Sequence, residues 1–248
     1  MNEKITSVNI KSFREHFYKA LSEKLSFDGY IFKRSSQEFI LIDGNHIFTL
    51  QAYTIKMNTG IVIKINGFYS SQTFNEIQKL VMNNYYSLQT SNIVGGSTQF
   101  IAEEYHEMSD VNIPNDFWWD TNSISIQNLA DDWYLLYSQY LKPFLNKCRD
   151  IEFLNQLVND YKIDKPGFIA GGYDNRILKG IILAHMAGES ISNIENLALL
   201  YEDEVRKKKY PYLKHFIEVK DAFFSHLRNT FHNLNFKSFC LHQLNKTN

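Results

Sequence analysis

The sequence predicts an α+β fold: an antiparallel sheet with covering helices over residues 1–150, then an all-helical unit over residues 151–248. Three observations carry this reading. Ile61, Ile63 and Ile65 alternate with Val62, Lys64 and Asn66, the period-2 pattern of a strand with one strongly apolar face. Turn sequences Asp43-Gly44-Asn45 and Asn58-Thr59-Gly60 separate the β-rich runs and are short enough to imply antiparallel neighbours. Beyond Asp150 the apolar residues recur at helical spacing.

Taken in order, the first element is a helix. Ser12 is the expected N-cap, with Glu15 completing a capping box. Phe13, Phe17, Leu21 and Leu25 form its buried stripe. Asp28-Gly29 supplies the turn that ends it. Strands are expected at Tyr30 to Arg34, Phe39 to Ile42, Ile47 to Tyr53 and Ile61 to Ile65. The first helix is the natural cover for their apolar face. Phe74, Ile77, Leu80 and Val81 predict a second helix. Gly95-Gly96 followed by Phe100, Ile101 and Ala102 predicts another strand, turned or bulged at the glycines. A polar loop containing Pro114 follows.

A long helix is expected from Ser123 or Ser125, with Leu129, Trp133, Leu136, Tyr140 and Phe144 on one stripe and a kink or end at Pro143. Later stripes comprise Phe153, Leu154, Leu157 and Val158, then Ile177, Leu178, Ile181, Ile182 and His185. Two further helices are expected at about 192–208 and 211–233. The breaks are Lys165-Pro166-Gly167 and Gly171-Gly172, with Asp174 as the following N-cap.

Composition narrows the function classes. With 44% hydrophobic and 21% charged residues, the 248-residue chain is globular and large enough to bury a core without disulfides or metals. Two cysteines, Cys148 and Cys240, do not make a secreted disulfide scaffold. No signal peptide and no spanning helix are expected, so the location is read as cytoplasmic, with no membrane partner. The net charge of −1 argues against a general nucleic-acid binder.

The first half resembles the bacterial proteins grouped as domain of unknown function 4304. The residues that carry the resemblance are Phe27-Asp28-Gly29-Tyr30-Ile31-Phe32-Lys33-Arg34 after a helix, Asp116-Phe117-Trp118-Trp119, and the helix end Leu141-Lys142-Pro143-Phe144-Leu145. The resemblance covers roughly residues 12–150. It implies no established activity. Related domains often sit beside toxin genes and are suspected immunity proteins, which is an association and not a mechanism.

Candidate chemistry is sparse. No His-Glu-x-x-His, Cys-x-x-Cys or P-loop ending occurs, so no catalytic residue, metal or cofactor is assigned. His232, Cys240 and His242 lack the paired spacing of a structural zinc site. Gly95-Gly96-Ser97-Thr98 reads as a turn in preference to an anion cradle. Arg206-Lys207-Lys208-Lys209 reads as a solvated helix end complementing the helix dipole. No oligomeric state is assigned either.

Two functional readings follow. The first is a non-enzymatic protein-binding module, an immunity-type inhibitor of a basic toxin. No Lys or Arg occurs between Lys79 and Lys142, an interval holding eight acids and all three tryptophans. Asp116, Trp118, Trp119, Asp120, Asp131 and Asp132 are the expected partner-binding residues. Acidic clusters speed association with basic partners, and Trp is enriched at hot spots. The alternative is a helical RNA-cutting or nucleotide-binding defence protein. Asp221, Ser225, Arg228 and His232 fall on one helical face, where Arg228 would hold a phosphate and His232 would handle a proton. Here three residues separate the arginine from the histidine, where such domains leave four to six. The plainer account is a polar stripe opposite Phe223, Phe224, Leu227 and Phe231.

Overall fold

A computed structural model describes residues 9–57, 60–82, 92–105, 117–119, 125–159 and 173–207, together with residues 217, 220, 221, 224 and 225. The fold is α+β. Helix α1 (Ile10–Leu25) precedes strands β1 (Ile31–Lys33), β2 (Glu38–Asp43), β3 (His46–Lys56) and β4 (Ile61–Ser71). Then come α2 (Gln72–Met82), β5 (Val94–Ser97), α3 (Thr98–Tyr105) and β6 (Phe117–Trp119). The rest is helical among the described residues: α4 (Ile126–Leu136), α5 (Lys142–Lys147), α6 (Ile151–Asn159), α7 (Tyr173–Met186) and α8 (Ile191–Lys207). The strands form one antiparallel sheet in the order β1-β2-β3-β4-β5, with β6 also paired to β4.

The stripe of α1 is buried as expected: Phe13, Phe17, Leu21 and Leu25 are in the core, joined by Tyr18 and Ala20. The helix covers β3, to which Tyr18 donates a hydrogen bond at the Ala52 carbonyl, 2.7 Å away. Its start differs from the sequence expectation. Asn9 is the N-cap, its side chain accepting from the Lys11 and Ser12 amides, so Ser12 lies inside the first turn. Asn caps as well as Ser does, and the earlier cap adds most of a turn. Asn9→Ala is therefore expected to lower the unfolding free energy by about 1 kcal/mol, with Ser12→Ala nearly neutral. Urea titrations of the two variants check this assignment.

Gly29 follows a 3₁₀ turn with φ +86°, a conformation that favours glycine. Gly44 (φ +56°) opens the two-residue link between β2 and β3, as the first central position of a type II′ hairpin requires. Ile31↔Ile40 and Lys33↔Glu38 fix the register of β1 on β2. In β4, Ile61, Ile63 and Ile65 are buried and Lys64 is exposed, as the alternation predicts, while Val62 on the other face is buried as well. Val62 pairs with Trp118 of β6, which supplies a neighbour that the alternation did not reveal.

The segment after Gly95-Gly96 is the clearest correction. Both glycines lie within β5, and Phe100, Ile101 and Ala102 are helical. Ser97 accepts from the Phe100 amide, a side-chain cap that starts α3 three residues earlier. Gly96 has no side chain because the Phe100 ring occupies that space; an added Cβ would lie 2.8 Å from it.

Ser125 caps α4 as expected, accepting from the Asn128 amide. The interruption attributed to Pro143 falls ahead of it, as a π-type turn at Tyr137–Leu141. A proline cannot donate to the preceding turn, and the wider turn carries the chain past that missing bond. Asp174 is the second residue of α7 and not its cap. The breaks at 165–167 and 171–172, and most of the segment expected to be helical at 211–233, lie outside the described residues.

Two compact units emerge, each built from separate stretches. One comprises Met1–Ile42, Phe48–Phe68 and Gly96–Asn146; the other comprises Asp43–Ile47, Tyr69–Gly95 and Lys147–Asn248. The chain crosses between them several times, the last time at Asn146 and Lys147. In the first unit α1 packs chiefly on α4; in the second α6, α7 and α8 pack in sequence and α2 joins α7.

Candidate functional site

Of the expected partner-binding residues, Asp116 and Asp120 lie outside the described residues. Trp118 and Trp119 have their backbone in β6, paired with Val62 and Ile61. Asp131 and Asp132 are both exposed on α4, but they differ in charge environment. Lys24 forms an ion pair with Asp131, which neutralises much of that charge locally. Asp132 has no ion pair among the described residues. Trp133 is fully buried and stacks on Tyr137, so it belongs to the core. Its indole N–H has no hydrogen-bond partner among the described residues.

The same face holds a network that sequence reading missed. Asp28, read as a turn residue, accepts from the Tyr134 hydroxyl at 3.0 Å and from the Lys142 ammonium at 2.6 Å. Its partners lie 106 and 114 residues along the chain, out of reach of any local pattern. Burial, then the Asp28 hydrogen bond and charge, raise the Tyr134 pKa. The links Lys24–Asp131 and Asp28–Tyr134 tie the end of α1 to one turn of α4. The exposed side chains that flank them are Phe27 (89% exposed), Asp132 and Leu135 (53% exposed). Each adjoins a bonded residue in the chain (Phe27 next to Asp28, Asp132 next to Asp131, Leu135 next to Tyr134), and exposed aromatic and apolar side chains with an acid have the composition of an interface centre.

The alternative site is only partly in view. Arg228 and His232 lie outside the described residues, as do Cys240 and His242. Asp221 and Ser225 line a cleft of about 480 Å³ with Glu195, Lys220 and Phe224. Lys220 is bonded to Glu202 at 2.6 Å and lies 3.7 Å from Asp221. With Glu195 and Asp221 on the wall, the described lining is acidic and does not suit a phosphate. The basic run at the end of α8 is partly neutralised: Arg206 bonds Glu202, and Lys207 pairs with Asp203 and Glu204.

Two more clusters in the second unit went unread in the sequence. His46 shares a hydrogen bond of 2.8 Å with the Tyr69 hydroxyl, and Arg149 pairs with Asp43 at 2.7 Å. Burial first, then the Arg149 charge, lower the His46 pKa against a smaller opposing effect of Asp43. Asn45 next to them caps α2 through the Thr73 amide, so the cluster fastens the β2–β3 turn to that helix. Cys148 is completely buried, and burial raises its thiol pKa, which makes it an unreactive core residue. Lys179 on α7 is also fully buried and donates to the Asn92 carbonyl. Burial lowers its pKa from 10.5 to about 7. A neutral amine is a potential nucleophile, but this one is enclosed and bonded to backbone.

No group of three or more His, Cys, Asp or Glu side chains among the described residues could hold a metal ion. No described helix is long and apolar enough to cross a membrane. Comparison with protein-family models, curated proteins and solved structures returned no match.

Proposed function

We propose that this is a cytoplasmic, non-enzymatic protein-binding module, an inhibitor of immunity type whose partner is a basic protein such as a nuclease toxin. One observation carries the reading: the cation-free, acid-rich stretch includes α4, where Asp132 and Leu135 are exposed and where Asp131 and Tyr134 bond Lys24 and Asp28, the latter next in sequence to the exposed Phe27. Acids there steer a basic partner, and the apolar side chains supply burial once it docks. Within the stretch, Asp132 carries more of the attraction than Asp131, which Lys24 already engages. The remaining contacts fall to Asp116, Trp118, Trp119 and Asp120. The resemblance to domain of unknown function 4304 agrees with an immunity role.

The test starts from a pull-down with the wild-type chain from its native host, in which a basic protein is expected to be captured. Phe27→Ala is expected to weaken that complex by about 1–2 kcal/mol, the scale of an interface hot spot. Reversing Asp116, Asp120 and Asp132 to lysine should slow association and flatten its dependence on salt. A complex whose affinity and salt dependence are the same in these variants would mean that the partner docks elsewhere.

A further inference from the structure

A second feature of the first unit uses none of the acidic stretch. Along α1, Lys11, Arg14, Tyr18 and Ser22 recur at three- and four-residue spacing, with Lys19 next to Tyr18, on the side that lines a cleft. Facing them are Phe32 of β1 and the link from β1 to β2, which contributes Arg34 and Gln37. Together they line a cleft of about 630 Å³, within the usual size of roughly 300–1,000 Å³ for small-molecule sites.

The charge in this cleft is one-sided. Lys11, Arg14, Lys19 and Arg34 are cationic, and Glu15 is the one carboxylate in the described lining. Glu15 lies 3.6 Å from Arg34, an exposed pair that holds neither side chain firmly. Lys11, Arg14 and Lys19 pair with no carboxylate among the described residues. Gathering four cations in this way costs repulsion that an anionic ligand would relieve.

Arg14 is already positioned for such a ligand. Its Nε donates to the Thr54 hydroxyl at 2.5 Å and its Nη2 to the Thr54 carbonyl at 2.8 Å. A guanidinium has five N–H donors, so three are left on the other edge, the fork that grips a phosphate through two parallel bonds. Fixing the group beforehand removes part of the ordering cost of binding.

The floor is aromatic. Phe32 is half-buried, its ring 5.1 Å from Tyr18 and 4.9 Å from Phe39, so its orientation is set by packing while part of its surface lines the cleft. Gln37 has φ +56°, unique among the described non-glycine residues. Its side-chain oxygen lies 3.2 Å from the Tyr18 hydroxyl, whose single proton it shares with the nearer Ala52 carbonyl. Strained backbone of this kind gathers at ligand sites.

We propose that this cleft binds a free nucleotide, with its phosphates among Lys11, Arg14, Lys19 and Arg34 and its base against Phe32. Four cations grouped around one accessible ring match one base bearing several phosphates. A nucleic-acid strand would call for a run of rings along a basic groove.

Calorimetric titration of the full chain with ATP, GTP, adenosine, inorganic triphosphate and a ten-nucleotide RNA tests this. ATP or GTP is expected to bind with a dissociation constant below about 1 mM, inorganic triphosphate more weakly and adenosine most weakly. The double variant Lys19→Glu, Arg34→Glu alters only exposed side chains. It should keep its melting temperature and weaken nucleotide binding at least tenfold, about the effect of losing one charge-assisted contact. Phe32→Leu should weaken ATP and leave inorganic triphosphate unchanged. No nucleotide binding at about 1 mM would overturn the proposal, as would binding untouched by the double variant. Equal weakening of ATP and triphosphate by Phe32→Leu would remove the base from the ring. RNA binding without ATP binding would give the cleft to nucleic acid instead.

Discussion

Lys179→Met is expected to stabilise the protein at pH 7 and destabilise it near pH 10. Lys179 is buried, and its pKa falls from 10.5 to about 7 because the interior penalises the charged form. In the unfolded chain the amine stays protonated to about pH 10. The unfolded state therefore binds the extra proton throughout the window between these values, and stability rises with pH across it. Below pH 7 the cost is fully present, at most roughly 5 kcal/mol; it fades as pH climbs towards 10.5. Methionine removes the cost but leaves the Asn92 carbonyl without this donor, a loss of about 1–2 kcal/mol at every pH. The net gain at pH 7 is then roughly 1–3 kcal/mol, with a crossover in alkaline solution. Urea unfolding of both proteins from pH 6 to 10 measures it. A difference that stays constant over that range would mean that Lys179 keeps its charge in the fold.

The second large effect is expected at the neighbouring residue. A methyl group added at Gly180 would lie 2.9 Å from the Tyr201 hydroxyl and press on the Asn159 side-chain oxygen. Those atoms join three helices. Asn159 donates to the Gly180 carbonyl at 3.0 Å, and Tyr201 donates to the Asn159 oxygen at 2.7 Å. Tyr201 is fully buried, so it has no room to swing away. Alanine would raise the intrinsic helix propensity of α7 by about 1 kcal/mol, but overpacking and a broken buried network outweigh that gain. Gly180→Ala should lower the unfolding free energy by roughly 2–4 kcal/mol. Tyr201→Phe deletes the hydroxyl that causes part of the clash, so the double variant should lose less than the sum of the singles. Strictly additive losses would show that the methyl group is absorbed elsewhere.

The elements with their own local signals were legible in the sequence. Phe13, Phe17, Leu21 and Leu25 repeat at helical spacing and are buried. Asp43-Gly44-Asn45 marks the hairpin turn, and Ser125 caps α4. The misread segment, Phe100 to Ala102, is too short for its period to decide between strand and helix; Ser97 decides it through one hydrogen bond. The sites were harder because they are assembled across the chain. Asp131 looks like a free acid until Lys24 is placed beside it. Asp28 looks like a turn former until Tyr134 and Lys142 arrive. Lys11, Arg14 and Lys19 look like the solvated face of an amphipathic helix until Phe32 and Arg34 stand opposite them. Lys179 sits among the residues of the Ile177–His185 stripe, but its neutralisation depends on burial, which periodicity does not report.

The packing of α1 on α4 also has a consequence during synthesis. α1 is complete by Leu25, yet its chief helical neighbour begins at Ile126. Asp28 waits 114 residues for Lys142. At a translation rate of about 5–20 residues per second, that interval lasts roughly 6–23 seconds. For that time α1 has β3 to pack on but lacks its chief helical neighbour. Transiently exposed apolar surface promotes aggregation, so slower elongation between α1 and α4 would lengthen the period in which the chain is prone to it.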